Sequence, residues 1–225
     1  MIAISGFGRM GRAVADFWAE SAVVIEPDER KWRADGNLYV HNVQSLSEVP
    51  EVIIDFSSHA SIGALTGYAA AHGVPLVVAT TGHTPPERAC ITEASRVIPV
   101  YWAPNTSVGM VGFVEACRNV LAAMPHADVS VHEIHRIGKA DAPSGTALWL
   151  ADTLTAECGR AVPITCERVG DTSGTHEVRV EDEGQCVVLR HVAKSRAIFA
   201  EGALRAAQWL LHRPAGLYGP EDLKV

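Results

Sequence analysis

The first hundred residues alternate short apolar runs with segments of helical periodicity. Continuous hydrophobic runs predict strands buried on both faces, as in a parallel sheet, at residues 2–5, 22–26, 51–56, 75–80 and 98–102. Apolar positions spaced three and four apart predict helices at 9–20, 60–73 and 84–96. This alternation predicts an α/β fold, a Rossmann-type doubly wound parallel sheet.

The pattern changes after residue 106. Helical spacing predicts helices at 108–123, 145–157 and 202–213, and strand-like runs lie at 127–137, 175–181, 185–193 and 195–200. Strands without intervening helices indicate a second, α+β domain with a mixed or antiparallel sheet. We therefore predict a first domain at 1–106, completed by 201–225, and a second domain at 107–200.

The loop between the first strand and the first helix carries Gly6-x-Gly8-x-x-Gly11. Gly6 permits a tight turn, Gly8 lets the backbone approach a pyrophosphate, and Gly11 allows the helix to pack closely on the strand. Glu26 follows at the usual spacing of about 20 residues, where a carboxylate binds the adenosine ribose hydroxyls. Together these features predict a dinucleotide site, although each one also fits an ordinary turn or surface carboxylate.

Glu26 favours NADH over NADPH, because a carboxylate repels a 2′-phosphate. Arg30, Lys31 and Arg33 follow closely and could neutralise a 2′-phosphate, so the preference stays open. Small hydroxylated residues and glycine at the strand ends 55–58 and 79–82 suit a nicotinamide ribose, and equally suit turns.

Residues 133–147 contain an unusual density of charged and proton-transferring side chains. His135, at the end of a predicted strand, can donate a proton near neutral pH, and Lys139 can do so too or hold a carboxylate. Ser144 is placed to cap the next helix, so that the N–H groups of Gly145 and Thr146 face an anion. The stretch predicts a concentrated cationic site for a small carboxylate substrate, although each residue alone also fits a structural or solvated role.

Composition narrows the function classes. The net charge of −7 argues against a general nucleic-acid or membrane-surface binder. No stretch has the roughly 20 apolar residues of a membrane span, and the chain opens directly with a strand-like run. The five cysteines have no C-x-x-C spacing, which is typical of reduced cytosolic thiols. We therefore expect a soluble, cytoplasmic protein with no metal site.

The motifs together resemble dihydrodipicolinate reductase, the 4-hydroxy-tetrahydrodipicolinate reductase family of the lysine and diaminopimelate pathway. The resemblance covers nearly the whole chain, and its motifs are GFGRMG (6–11), DFS (55–57), ATTG (79–82), APNTSVG (103–109), EIHRIGKADAPSGTA (133–147), RVGDTSGTHEV (168–178) and HVAKSRAIFAEGALRAAQWL (191–210). It implies reduction of 4-hydroxy-tetrahydrodipicolinate with NADH or NADPH. It also implies that the second domain binds substrate and forms a homotetramer.

The resemblance also assigns roles to residues. His135 is implied as the catalytic acid and Lys139 as the second donor and carboxylate contact. Arg136, Ser144, Gly145 and Thr146 complete the implied substrate site. The implied cofactor site comprises Gly6, Phe7, Gly8, Arg9, Met10, Gly11, Glu26, Ala79, Thr80, Thr81, Ala103, Pro104, Asn105 and Thr106.

The chain departs from the family pattern at a few positions. The family usually has paired histidines before the lysine, whereas Arg136 stands here in place of the second one. Pro27 follows Glu26 where NADP-tolerant members often carry arginine, which favours NADH weakly. The glycine loop is one residue shorter than in many members, and the chain as a whole is short for the family.

Two other functions fit the same residues. A related NAD(P)-dependent dehydrogenase could act on another amino or keto acid, which the Arg136 substitution favours. A non-catalytic NAD(H)-sensing protein could use the Rossmann domain alone, but it would have no need of a proton donor such as His135. Cofactor preference, oligomer size, kinetic competence and association with the synthase upstream are not decided by the sequence.

Overall fold

The computed structural model of the chain describes residues 1–223, so the last two positions of the predicted segment 201–225 lie outside it. The chain forms two compact units. One comprises Met1–Ser107 and the C-terminal segment from Ala197, and the other comprises Val108–Arg196.

The first unit contains a seven-stranded sheet whose paired strands all run parallel. Its strands are β1 (Ile2–Ser5), β2 (Val23–Ile25), β3 (Leu38–Val40), β4 (Val52–Asp55), β5 (Leu76–Val78), β6 (Pro99–Trp102) and, last in the chain, β11 (Gly216–Tyr218). The spatial order is β11-β6-β5-β4-β1-β2-β3. The order in which successive strands are added to the sheet reverses between β1 and β4, as in a doubly wound fold. The predicted Rossmann-type parallel sheet is therefore confirmed.

Helices cover both faces of this sheet, because successive residues of each strand point to opposite sides. Helices α1 (Arg9–Phe17) and α6 (Ala197–Leu210) pack on the face that carries Ile2, Ile4 and Ile54. Helices α2 (Ile62–His72) and α3 (Pro85–Ser95) pack on the opposite face. Each predicted strand of this unit is therefore buried on both sides, which is why its sequence is continuously apolar.

The structure adds two strands that the sequence pattern did not predict, β3 and β11. Both are three residues long, form the edges of the sheet and are only partly buried. An edge strand is covered on fewer sides, so it needs no continuous apolar run. The hydrophobic pattern that found the inner strands therefore missed these two.

The predicted strand at 195–200 is wrong, because helix α6 begins at Ala197. Ile198 and Phe199 have strand-like side chains, but the alanines that follow decide the structure. Ala200, Ala203 and Ala207 recur at helical spacing and are at most 2% exposed. These small side chains let α6 pack closely on α1 and the sheet.

The second unit contains a four-stranded sheet in the order β10-β9-β7-β8. Its strands are β7 (Asp128–His135), β8 (Ile164–Arg168), β9 (Thr175–Glu181) and β10 (Cys186–Val192). β7 pairs with β8 in parallel, whereas its pairing with β9 and the pairing of β9 with β10 are antiparallel. The predicted mixed sheet is confirmed, and β8 is a further strand that the sequence pattern did not predict. Helices α4 (Val108–Ala123) and α5 (Gly145–Cys158) cover one face of this sheet.

Within residues 1–223, none of the helices combines the length and the apolar composition needed to cross a membrane.

A close approach between α6 and the segment after β6 gives a test of the fold. A Cβ at Gly202 would lie 1.7 Å from the carbonyl oxygen of Thr106, whereas no described atom lies within 4 Å of a Cβ at Gly67 in α2. We expect Gly202→Ala to lower the free energy of unfolding by about 1–3 kcal/mol or more, because the backbone must move.

The matched control is Gly67→Ala, the same substitution at an exposed position within helix α2. It should raise the free energy of unfolding by about 0.5–1 kcal/mol, because alanine loses less conformational entropy. Denaturant unfolding of both variants measures the two effects. Equal effects of the two substitutions would contradict the packing described here.

Candidate active site

Alternation along β7 places the first two reactive side chains of the stretch 133–147 on one face of the second sheet. Glu133 and His135 are two residues apart, so both side chains point toward the face covered by the helices. Across the sheet, Glu133 lies opposite His176 of β9, and His135 lies opposite Arg168 of β8. Strand register therefore brings together four ionisable residues from three strands.

The Glu133 carboxylate is fully buried and is the centre of this cluster. Its Oε1 accepts hydrogen bonds from the Ser144 backbone N–H and from Nη2 of Arg168, both at 3.0 Å. Its Oε2 lies 3.1 Å from Nδ1 of His135, at an angle poor for a hydrogen bond, and 3.8 Å from Nε2 of His176. Burial would raise the pKa of Glu133, but its interactions with His135 and Ser144 hold that pKa well below the usual range.

His135 is held from both sides of its ring. Nδ1 faces Glu133, and Nε2 lies on the other side beside Gly174. A Cβ at Gly174 would lie 2.9 Å from Nε2, and its φ of +147° is a conformation that only glycine adopts readily. The ring is 8% exposed, so its orientation is fixed by the surrounding protein.

His176 packs edge-on against His135, with ring centroids 5.2 Å apart. Burial and the neighbouring charge of His135 lower the pKa of His176 to about 3. Its Nε2 lies 3.4 Å from Oγ of Ser144. His176 is therefore a neutral hydrogen-bonding group near neutral pH.

Lys139 already holds a carboxylate in this structure, that of Asp141. Nζ lies 2.7 Å from Oδ1 of Asp141. Burial would raise the pKa of Asp141, but Lys139 and the backbone N–H of Gly145 lower it. Lys139, which the resemblance assigns to a substrate carboxylate, thus binds a carboxylate that belongs to the chain. Of the cations in the stretch 133–147, Lys139 is paired with Asp141. Arg168, from a later strand, is paired with Glu133.

The start of helix α5 is fixed onto the same cluster. Ser144 caps the helix as predicted, because its Oγ accepts a hydrogen bond from the Ala147 N–H at 3.2 Å. Arg168 also donates to the carbonyl oxygen of Asp141, which fastens the loop before the helix. Thr146 is buried, and the half-buried Arg136 folds back so that its Nη1 lies 2.7 Å from the position that a Cβ on Gly138 would take.

Three donor atoms in the cluster lie close enough to share a metal ion. One donor atom each from Glu133, His135 and His176 lie within 4.8 Å of one another. The guanidinium of Arg168 is paired with the Glu133 carboxylate, so a protein group compensates the buried negative charge of Glu133. The expectation that the chain needs no metal stays a prediction.

In the first unit, the glycine loop fits a dinucleotide. Gly6 has a φ of +85°, and a Cβ there would lie 2.5 Å from Cα of Ser57, so the loops after β1 and β4 touch. A Cβ at Gly11 would lie 1.9 Å from the Gly6 carbonyl oxygen. A Cβ at Gly8, by contrast, would meet no neighbouring group within 4 Å, so the backbone there faces open space that a pyrophosphate could fill.

The carboxylate of Glu26 is tied to this loop. It is 2% exposed, and its Oε2 accepts a hydrogen bond from the Phe7 backbone N–H at 2.9 Å. Nζ of Lys31 lies within hydrogen-bond distance of both oxygens. Burial opposes ionisation, but the bonds from Phe7, Lys31 and Asp28 lower the pKa of Glu26.

The remaining cofactor candidates follow neighbouring parallel strands and therefore lie at the same edge of the sheet. Thr80 and Thr106 are buried and bond to backbone carbonyl oxygens, Thr80 to that of Asp55 and Thr106 to that of Phe199. The other candidates form three groups by position: Arg9 and Met10 start α1, Ala79 and Thr81 follow β5, and Ala103, Pro104 and Asn105 follow β6.

Glu133, Arg168 and His176 are site residues to which the sequence pattern assigned no role. The alternation of strand 127–137 contained the signal for Glu133, because residues two apart share a face. Arg168 and His176 come from later strands, and their partners follow only from the strand register. That register is long-range information, which a local pattern does not carry.

The buried neutral histidine predicts a pH dependence of stability. The unfolded chain protonates His176 with a pKa near 6.5, whereas the folded pKa is about 3, so acid favours unfolding between these values. From pH 7.5 to pH 5 we expect His176 to account for about 2 kcal/mol of lost stability.

The measurement is denaturant unfolding of the wild type and His176→Gln at both pH values. The variant lacks a group that titrates in this window, so it should lose about 2 kcal/mol less than the wild type on acidification. Equal losses in the two proteins would show that His176 is not held neutral.

Comparison with known proteins gives these geometries a context. Sequence models described as dihydrodipicolinate reductase, N-terminus and C-terminus, match residues 1–106 and 109–223. Two relatives named 4-hydroxy-tetrahydrodipicolinate reductase are similar over 96% of this chain. The one from Caldanaerobacter subterraneus subsp. tengcongensis is 32% identical, with 94% of its length covered, and the one from Xanthomonas campestris pv. campestris is 36% identical, with 93% covered.

A solved structure shares the fold. It is described as dipicolinate-bound dihydrodipicolinate reductase from Paenisporosarcina sp. TG-14, and it matches 99% of this chain and 98% of its own with a TM-score of 0.80 at 23% identity. Both halves of the sequence and the near full-length relatives lead to the same assignment. The chain belongs to the dihydrodipicolinate reductase family.

Proposed function

We propose that this chain reduces 4-hydroxy-tetrahydrodipicolinate to tetrahydrodipicolinate with NADH or NADPH, in lysine and diaminopimelate biosynthesis. The observation that carries the proposal is a carboxylate held by Lys139, at 2.7 Å, in the unit that contains the buried His135. Family membership makes a reductase of this substrate the best-supported function over another dehydrogenase or a sensor.

Asp141 serves as a stand-in for a substrate carboxylate. Its carboxylate has the charge and shape of a ligand carboxylate, and it is bound by the ammonium group of Lys139. The solved relative is described as bound to dipicolinate, a small dicarboxylate, which supports the same substrate class here. Ser144, Gly145, Thr146 and Arg136 are the proposed further substrate contacts.

His135 and Lys139 are the proposed proton donors. NAD(P)H, when bound, supplies the hydride. Nδ1 of His135 faces the Glu133 carboxylate, so Nε2 is the ring nitrogen left to release a proton to the reduced substrate. Gly174 and Glu133 restrict the ring, so the proton is held in one position. The substrate carboxylate displaces Asp141 from Lys139, and the ammonium group then neutralises the substrate's charge.

The proposed cofactor residues are those of the glycine loop and of the strand ends described above. The glycine loop and the start of α1 would hold the pyrophosphate, and Glu26 the adenosine ribose. A weak preference for NADH is proposed from the carboxylate of Glu26 and from Pro27, which carries no charge to offset it.

His135→Gln tests the assigned catalytic residue. Substrate is generated from pyruvate and aspartate semialdehyde with a separate synthase, and loss of NADH and NADPH absorbance is followed in parallel. We expect kcat to fall about a hundredfold or more, because a general acid contributes on that scale. The dissociation constant of NADH, measured by fluorescence, should stay unchanged.

His132→Gln is the matched control. His132 lies on the same strand, but its side chain points to the opposite face and contacts Oγ1 of Thr165. It should keep nearly full activity. Equal loss in both variants, or absence of NADH and NADPH oxidation by the wild type, would contradict the proposed function.

We also propose a homotetramer formed through the second unit. The outer strand β10 exposes Val188 and Val192, each 47% accessible, on the sheet face that α4 and α5 do not cover. We expect Val188→Glu to reduce the molar mass measured by light scattering, because burying its carboxylate in an interface is unfavourable. Val97→Glu, at an exposed position of the first unit, is the control. A wild-type monomer, or an unchanged mass for Val188→Glu, would contradict this assembly.

A further inference from the structure

We propose that Lys31 determines how strongly this chain distinguishes NADH from NADPH, by competing with the adenosine ribose for the Glu26 carboxylate. The inference rests on the proposed function only in that the glycine loop binds a nicotinamide dinucleotide. It assigns a role to a residue outside the glycine loop and outside the strand ends.

The acceptor positions of Glu26 are already filled in this structure. Oε1 accepts from the Asp28 backbone N–H at 3.0 Å and from Nζ of Lys31 at 3.0 Å. Oε2 accepts from the Phe7 backbone N–H at 2.9 Å and from the same Nζ at 2.9 Å. A carboxylate offers about four lone-pair sites, so a ribose hydroxyl must replace one of these donors.

Lys31 is the donor that can leave. The two N–H groups belong to the backbone of the glycine loop and of the turn after β2, whereas Nζ ends a flexible side chain that is 41% exposed. Glu26 itself is 2% exposed and cannot turn toward solvent without losing both backbone bonds. The ribose of NADH therefore displaces the ammonium group from the carboxylate.

Local structure holds the backbone of Lys31 in place. Residues 29–31 form a short 3-10 turn, and the Asp28 carboxylate caps it by accepting a hydrogen bond from the Arg30 N–H. The Trp32 indole donates to the Glu26 carbonyl oxygen at 2.9 Å, and a guanidinium N–H of Arg12 donates to the Lys31 carbonyl oxygen. The displaced ammonium thus stays within the length of one side chain of the ribose.

This placement affects the two cofactors in opposite ways. With NADH, Lys31 costs affinity because its bonds to Glu26 must be broken. With NADPH, the 2′-phosphate would be repelled by Glu26, and the nearby ammonium offsets that repulsion. Lys31 therefore narrows the preference for NADH that the buried carboxylate would otherwise impose.

Neighbouring cations are engaged elsewhere. Arg30 forms two hydrogen bonds with the Asp28 carboxylate, at 2.7 and 2.9 Å. Arg33 lies 3.5 Å from Asp16 and over the ring of Phe7. Arg30 thus carries the same charge one residue away from Lys31 while bonded to a different carboxylate, which makes it a matched control.

The test is binding of NADH and of NADPH, separately, to the purified full-length protein at one fixed ionic strength. Dissociation constants are taken from fluorescence titrations of the wild type, Lys31→Met and Arg30→Met. We expect Lys31→Met to raise the ratio of the NADPH to the NADH dissociation constant about tenfold, the effect of about 1.4 kcal/mol. Arg30→Met should change that ratio less than about twofold.

Two further variants keep the test decisive if Lys31→Met folds poorly. Lys31→Arg retains the charge and should leave the ratio near the wild-type value. Glu26→Gln removes the repulsion and frees the lysine, so it should shift the ratio toward NADPH. Circular dichroism of each variant confirms that the measured protein is folded.

Several outcomes would overturn the inference. An unchanged ratio in Lys31→Met, or equal shifts in Lys31→Met and Arg30→Met, would mean that the specific contact has no role. A wild type that binds neither cofactor would refute the dinucleotide site itself, and with it the inference. A wild type that binds both cofactors but oxidises neither in the coupled assay would instead count against the proposed reaction alone.

Discussion

The buried carboxylate of Glu133 is the constraint on which the candidate active site depends. A carboxylate that is fully removed from water must be compensated. Arg168 of β8 and the Ser144 N–H at the start of α5 donate hydrogen bonds to it, and the histidines of β7 and β9 face its other oxygen. Satisfying this one group therefore fixes the orientation of His135, the position of Arg168 and the entry of α5. The same bonds that stabilise the fold of this unit also prepare its chemistry.

Much of the fold could be predicted because parallel strands buried on both faces have continuous apolar sequences. β1, β4 and β5 are of this kind, and their positions follow from the sequence to within a residue or two. The edge strands β3 and β11 and the strand β8 could not be predicted this way, because partial exposure removes the apolar pattern. At residues 195–200 the β-branched and aromatic side chains indicated a strand, but tertiary packing of the alanines on the sheet made the segment helical.

The candidate site divides in the same way. His135, Lys139 and the Ser144 cap lie within one short stretch, so their types and spacing are enough to predict a site. Their partners could not be predicted, because the neighbours of His135 are decided by which strands pair and in which register. The charge balance of the site also depends on the fold: the sequence indicated excess positive charge, whereas Asp141 neutralises Lys139 and Glu133 neutralises Arg168, a residue to which the sequence assigned no role. Local patterns identify reactive side chains, and only the register identifies what surrounds them.

The carboxylate of Asp141 on Lys139 has a consequence for which molecules the site accepts. A side chain two residues from Lys139 is present at a high effective concentration, so any free anion must compete with it for the ammonium group. A ligand with a single negative group gains little from that exchange, because it replaces a contact that the protein already makes. A ligand with a second anchoring group gains a contact that Asp141 does not provide. In the proposed substrate site, an anion with one anchoring group is therefore a weak competitor for Lys139, and a ligand with several anchoring groups is favoured.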